Sequence, residues 1–318
     1  MKTFTKLLKA LLYTLATLMI VVCLLYGYKD KSVAELKAKY APFPSAFLKI
    51  DGMDVHYRDE GNPDDSLPIV LIHGTSSSLH TFDAWVSALK GQNRVVRMDI
   101  PAFGLTGPFP SHNYAIDNYV DFIEKFLNAK GIKRCILGGN SLGGQIAWQF
   151  AVQKSNRVEK LILIDAAGYP IHSTSVPIGF KVARIPILNK LFTFITPHPM
   201  VKTSVENVYA DKTKVTEAIV DRYFDLTLRE GNRQALVDRM NIAYDISNVP
   251  RIKNISQPTL VLWGEQDGLI PVENAHHFHD DLPNDTMVIL KNMGHVPMEE
   301  NPIESLKPVL AFLKKKGL

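Results

Sequence analysis

The chain has 318 residues, of which 46% are apolar and 21% charged, and a formal net charge of +4. That balance is ordinary for a folded protein with a sizeable core and excludes a low-complexity chain. The mild basic excess gives no ground for a nucleic-acid partner. Cys23 and Cys135 fall in segments not expected to meet, so no disulfide is expected.

Residues 10–28 carry no charge. As a helix they span about 28 Å, close to the roughly 30 Å hydrocarbon core of a bilayer. Lys2, Lys6 and Lys9 precede the run, Lys29, Asp30 and Lys31 close it, and Tyr26 and Tyr28 suit the interface. A cleaved signal peptide and a buried helix are the competing readings. Signal peptides have a shorter apolar region and a small-residue cleavage site, and Leu24-Leu25-Tyr26-Gly27-Tyr28 offers none. An uncleaved anchor over residues 1–28 is therefore expected. Lysines also follow the run, at 29, 31, 37 and 39, so their count does not set the orientation. The habit of short N-terminal tails to stay inside places the rest of the chain on the non-cytoplasmic side.

Residues 29–45 read as a polar stalk. Residues 47–50 and 53–57 flank Asp51-Gly52, a hairpin signal. Residues 68–72 form a continuous apolar run, as in a strand buried on both faces, and residues 94–100 form another candidate. Helical spacing covers residues 82–89 and, through Ile116, Tyr119, Val120, Ile123, Phe126 and Leu127, residues 114–129. Strand-like runs come next at 135–137, 158–165, 259–263 and 286–290. The final helix spans about 302–315, and Lys314-Lys315-Lys316 suits its negative end or a solvated tail. Strands alternating with helices predict a mostly parallel sheet. The alternation fails between about 168 and 258, too long a stretch for a simple connection. Its helical periodicity and prolines at 170, 177, 186, 197 and 199 predict an inserted helical cap over 169–257, between core segments 46–168 and 258–318.

Chemistry enters at Gly139-Asn140-Ser141-Leu142-Gly143, between the strand at 135–137 and an amphipathic run from Gln145. A serine on so tight a strand-to-helix turn adopts a strained backbone, and its glycine neighbours avoid clashes. A serine nucleophile needs a base, and the base needs a carboxylate to hold its tautomer. On a parallel sheet these come from loops at the carboxyl ends of strands. The loops at 264–271 and 292–297 qualify.

Five pieces in order resemble the α/β-hydrolase superfamily over roughly residues 47–315: His73-Gly74; Asp99-Ile100-Pro101-Ala102-Phe103-Gly104; Gly139-Asn140-Ser141-Leu142-Gly143-Gly144; Trp263-Gly264-Glu265-Gln266-Asp267; and Gly294-His295. The resemblance implies an eight-stranded, mostly parallel sheet with helices on both faces. It also implies Ser141 as nucleophile, His295 as general base and acid, and Asp267 as its orienter. Asp165, also at a strand end, is the rival acid, because some members place it there. Glu265 reads as loop surface. The oxyanion hole is expected from the backbone N–H groups of Leu142 and Thr75, with Ser76 as the alternative to Thr75. His73 and Asp99 read as structural, and Ser76-Ser77-Ser78 as a site-lining turn. His276, His277 and His279 lie on a predicted helix without a completing ligand motif and read as a solvated face. No metal or organic cofactor is expected.

Esters or lipids are the leading substrates. The anchor and the apolar cap segments 185–188 and 191–195 suit a hydrophobic molecule. The runner-up is hydrolysis of carbon–carbon bonds in aromatic ring-cleavage products, which the Gly-Asn-Ser-Leu-Gly-Gly elbow also resembles. Those enzymes usually carry Trp after the catalytic His, and here Val296 stands there. Ser141 argues against the Asp-nucleophile dehalogenases and epoxide hydrolases. Haloperoxidase or acyltransferase chemistry stays open, as does a non-catalytic binding protein. Oligomeric state is not legible.

Overall fold

The computed structural model describes residues 2–314, so Lys315 and Lys316 of the terminal basic run lie outside the described residues. Its eight strands are β1 (Ala46–Ile50), β2 (Met53–Glu60), β3 (Ile69–Ile72), β4 (Val95–Met98), β5 (Cys135–Asn140), β6 (Val158–Ile164), β7 (Thr259–Gly264) and β8 (Asp285–Leu290). They form one sheet in the order β1-β2-β4-β3-β5-β6-β7-β8. The β1/β2 and β2/β4 pairs are antiparallel and the others parallel.

The central strands are apolar throughout because both faces are covered. Along β3, Val70 and Ile72 join one core while Ile69 and Leu71 join the other. Leu161 and Leu163 of β6 alternate with Ile162 and Ile164 in the same way. Helices α4 (Ile116–Ala129), α5 (Leu142–Gln153) and α11 (Glu273–Asp281) serve the first core through Phe126, Ile146 and Phe278. Helices α3 (Asp83–Leu89) and α13 (Pro302–Lys314) serve the second through Trp85 and Val309. Each tryptophan is fully buried and keeps an acceptor for its indole N–H: Trp85 on Ser305 Oγ, Trp148 on the Ala167 carbonyl and Trp263 on the Ile270 carbonyl.

Between β6 and β7 the chain adds no strand to the sheet. It forms α6 (Ile178–Arg184), α7 (Leu188–Phe192), α8 (His198–Glu206), α9 (Glu217–Thr227) and α10 (Asn232–Met240). The Thr216 hydroxyl caps the Ile219 N–H and sets the start of α9. Of the apolar segments at 185–188 and 191–195, Phe192 points inward, whereas Ile185, Ile187, Leu188 and Phe194 are exposed. A helix as short as α7 offers the interior little more than one side chain per turn.

At the N-terminus, α1 (Lys2–Tyr26) starts well before the uncharged run. It is long and apolar enough to cross a membrane, and none of that stretch is buried against the protein. The segment after it, expected as a stalk, is docked on the cap. The Tyr28 N–H donates to the Phe194 carbonyl and the Thr196 N–H to the Tyr26 carbonyl. Arg233, itself buried, clasps Asp30 at 2.6 Å and the Tyr28 carbonyl at 2.9 Å. Helix α2 (Val33–Tyr40) comes next, with Ser32 as its N-cap. Lys31 and Lys39 each reach Asp225 of α9 at 2.8 Å, and the Tyr40 hydroxyl donates to the same carboxylate at 2.7 Å. Three polar side chains of the segment expected as a stalk thus converge on one buried acid.

Burial alone would raise the pKa of Asp225, but the three donors hold it below the ordinary carboxylate range. A carboxylate depressed on folding stabilises above its unfolded pKa, about 3.9, and that contribution is lost as pH falls through the lower folded value. Asp225→Asn should therefore cost about 1–3 kcal/mol at pH 7, the scale of hydrogen bonds to a charged group. Thermal unfolding of the full chain should show the penalty shrinking below about pH 4; a penalty independent of pH would refute the ion-pair account.

Candidate active site

Ser141 lies directly after β5 with φ 56° and ψ −117°, and α5 starts at the next residue. For a residue other than glycine that conformation is strained. Two glycines make the turn possible. A Cβ on Gly139 would lie 2.2 Å from the Gly143 carbonyl oxygen, and one on Gly143 would lie 2.2 Å from that of Ile72. The turn is pinned by the Ser141 N–H to the Ile164 carbonyl, 3.0 Å, and by the Ala167 N–H to the Ser141 carbonyl, 3.1 Å.

The loops after β3, β7 and β8 converge on this point. His295 Nδ1 and Asp267 Oδ2 share a hydrogen bond of 2.6 Å, and both residues are buried. Asp267 Oδ1 accepts the N–H groups of Leu269 and Ile270 at 2.8 and 3.0 Å. The His295 loop is fixed from three sides. Asn140 Nδ2 donates to the His295 carbonyl, the His295 N–H to the Val208 carbonyl, and the Gly294 N–H to the buried Glu300. Asn140 sits inside the serine motif with no role legible from sequence, and Glu300 carries no sequence signal; both position His295.

Ser141, His295 and Thr75 line one cavity. Thr75 precedes Ser76, whose φ of 59° bends the loop, and Ser77 Oγ lies 3.3 Å from the Tyr223 hydroxyl of the cap. The Leu142 N–H belongs to the first residue of α5 and has no earlier helical carbonyl to serve. His73 is buried. Its Nδ1 meets the Gly74 carbonyl at 2.8 Å and its Nε2 accepts the Ile100 N–H at 3.1 Å, which sets a neutral tautomer. Burial pushes its pKa down. Asp99 ties three segments together through His56 of β2 and the N–H groups of Leu79 and Leu105. His276, His277 and His279 are exposed on α11.

Asp165, the rival acid, is fully buried beside this pair with φ 45°. One oxygen accepts the Gly264 N–H at 2.9 Å and the other has no hydrogen-bond partner. Asp165, Asp267 and His295 place one potential ligand atom each within 4.8 Å of one another, which is also a metal-like grouping. Their bonding argues otherwise: Asp267 and His295 occupy each other, and burial together with the Asp267 charge drives the Asp165 pKa well up. Asp165 is thereby held neutral beside a carboxylate that two N–H donors and an imidazole occupy. Two openings meet at Ser141. The first, about 750 Å³, is walled by Phe180, Phe192, Met200, Val201, Val205 and Leu236. The second, about 970 Å³, shares Thr75, Ser141, Phe180 and Leu269 with the first and runs out past Arg184 and Arg239.

A carboxyl that keeps its proton on folding, while the unfolded chain releases it above about pH 4, costs stability increasingly as pH rises. Asp165→Asn carries the neutral shape at every pH. Its melting temperature should exceed that of the parent protein at pH 7–8, with the gap closing towards pH 4. A melting temperature below the parent's at pH 8 would contradict a neutral Asp165.

The chain is similar to lipase 1 of Psychrobacter immobilis, 28% identical over 271 residues that cover 80% of this chain and 79% of the lipase. It is also similar to a 2-hydroxy-6-oxo-6-(2'-aminophenyl)hexa-2,4-dienoic acid hydrolase of Metapseudomonas resinovorans, 26% identical over 282 residues, covering 85% and 91%. Among solved structures, a bacterial membrane phospholipase A described as a virulence factor superposes with a TM-score of 0.73 at 25% identity, covering 98% of both chains. The profile of the alpha/beta hydrolase family matches residues 69–306, and the chain belongs to that family.

Proposed function

We propose that this hydrolase cleaves carboxylic esters with an apolar acyl limb through Ser141, His295 and Asp267. The observation that carries the reading is the strained Ser141 opening into an apolar cavity that His295, held by Asp267, also lines. Ser141 Oγ attacks the ester carbonyl while His295 Nε2 takes its proton. The N–H groups of Thr75 and Leu142 hold the oxyanion. Collapse expels the alcohol, which leaves with the proton from His295. Water then attacks the acyl-enzyme, His295 takes its proton and returns one to Ser141 Oγ, and the acid departs. Asp267 fixes the imidazole tautomer and stabilises its charged form.

The similarity to lipase 1 and to the membrane phospholipase supports an ester or lipid-like substrate. Helix α1 serves in this reading as an uncleaved anchor, with the catalytic domain on the non-cytoplasmic side. Exposed Phe194, whose carbonyl accepts the Tyr28 N–H at the exit of α1, and exposed Ile187 of the same cap segment fit a protein resting on a lipid surface. The similarity to the dienoic acid hydrolase favours a second reading, carbon–carbon bond hydrolysis at the same serine.

A fluorophosphonate should label Ser141, and Ser141→Ala should lower kcat on p-nitrophenyl esters by about 10³-fold or more. Asp267→Asn should lower it by about 10⁴-fold, the scale seen when a triad acid loses its charge, whereas Asp165→Asn should stay within about tenfold. Turnover of a 2-hydroxy-6-oxo-dienoate with no turnover of any ester would favour the second reading. A C-terminal reporter active in the cytoplasm would reverse the topology.

A further inference from the structure

The second opening at Ser141 is unlike the first. Arg184, in the last turn of α6, and Arg239, in the last turn of α10, both line it. Among the described residues neither makes a salt bridge, and the Nε of Arg239 is buried without an acceptor. The neighbouring carboxylate, Asp238, is occupied by His112 and Gln234. Gln145, one turn into α5 from Ser141, lines this opening too. It is only 3% exposed, and its Oε1 has no partner. Helix dipoles favour cations in last turns, which accounts for the charge of both arginines. It does not account for two helices of the cap bringing theirs to one cleft, nor for two of the residues that line it, Arg239 and Gln145, each keeping a buried polar atom without a partner. Buried polar groups without partners are rare, because each forfeits its hydration. Guanidinium groups match the oxygens of phosphate and carboxylate.

We infer that this cleft is an anion subsite, in which Arg239, Arg184 and Gln145 hold a phosphate or phosphodiester group on the alcohol limb of an ester whose acyl limb lies in the apolar cavity. The inference rests on the ester-hydrolase reading for its substrate but not for its ligand chemistry. It deepens that reading by giving each opening at Ser141 one limb of the substrate.

Two measurements on the full chain in detergent test it. The first compares kcat/KM for two soluble esters, 1-hexanoylglycerol 3-phosphate and 1-hexanoylglycerol. The parent protein should prefer the phosphorylated ester. Arg239→Gln should cut that preference by about 10- to 100-fold, the scale of a lost charge-assisted hydrogen bond, and Arg239→Lys should restore part of it. Arg184→Gln, at a more exposed position, should have a smaller effect in the same direction. An unchanged preference in both Gln variants, with only a lower melting temperature, would reduce the arginines to helix-end cations and overturn the subsite. A charge preference seen with phosphatidylglycerol vesicles but absent from the soluble pair would place the effect on the outer surface, and would overturn it too. The second measurement is calorimetric titration with inorganic phosphate, with about tenfold weaker binding expected in Arg239→Gln. This readout needs no turnover. A protein that hydrolyses neither ester but binds phosphate through Arg239 would sink the ester reading and keep the subsite.

Discussion

The site depends on one backbone constraint, the turn that carries Ser141 from β5 into α5. Its φ and ψ lie where a side chain is normally excluded. Such a conformation costs on the order of 1–3 kcal/mol and survives only where the surroundings overdetermine it. Here they do. β5 is paired in register with β3 and β6, and the helix start presses against the Ile72 and His73 carbonyls so closely that only glycine fits at 143. The strain places the serine clear of the sheet edge, with the positive end of α5 beneath it. It also brings the adjacent Asn140 side chain against the His295 loop, so one turn positions both Ser141 and that loop.

Around that turn the protein separates two neighbouring carboxylates by their hydrogen bonds. Asp267 receives two N–H donors and an imidazole, whereas Asp165 receives one N–H and faces the Asp267 charge in a fully buried position. Both sit at the ends of adjacent strands and both are eligible partners for His295 by sequence. In the structure the pairing distinguishes them, because His295 Nδ1 reaches Asp267 Oδ2.

The cap links the site to the N-terminal helix. Arg222 of α9 pairs with Glu299, whose carboxylate also accepts the Tyr223 hydroxyl next to Ser77. On its far side the same helix holds Lys31 and Lys39 through Asp225. Helix α9 is therefore clamped between the site loop and the segment that leaves α1. Composition alone makes residues 29–45 look like a linker, because the polar side chains that dock the segment are those a solvated linker would carry.

Local pattern was enough for the strands, the helices of the core, the turn at Ser141 and the separate eligibility of Asp267 and His295. Each is written in residues within a few positions of one another: apolar runs of strand length, helical stripes, glycines flanking a serine. The sheet order, with β3 moved between β4 and β5, accords with the family resemblance rather than with any local signal. What only the tertiary structure decided involves partners far apart in the chain. It brought Asn140 and Glu300 to the histidine loop, turned Ile187 and Phe194 outward, and set Arg184 and Arg239 around a cleft shared with Ser141. Those outcomes depend on which buried polar groups find donors and acceptors after packing, and hydrogen-bond geometry across distant segments leaves no periodic trace in sequence.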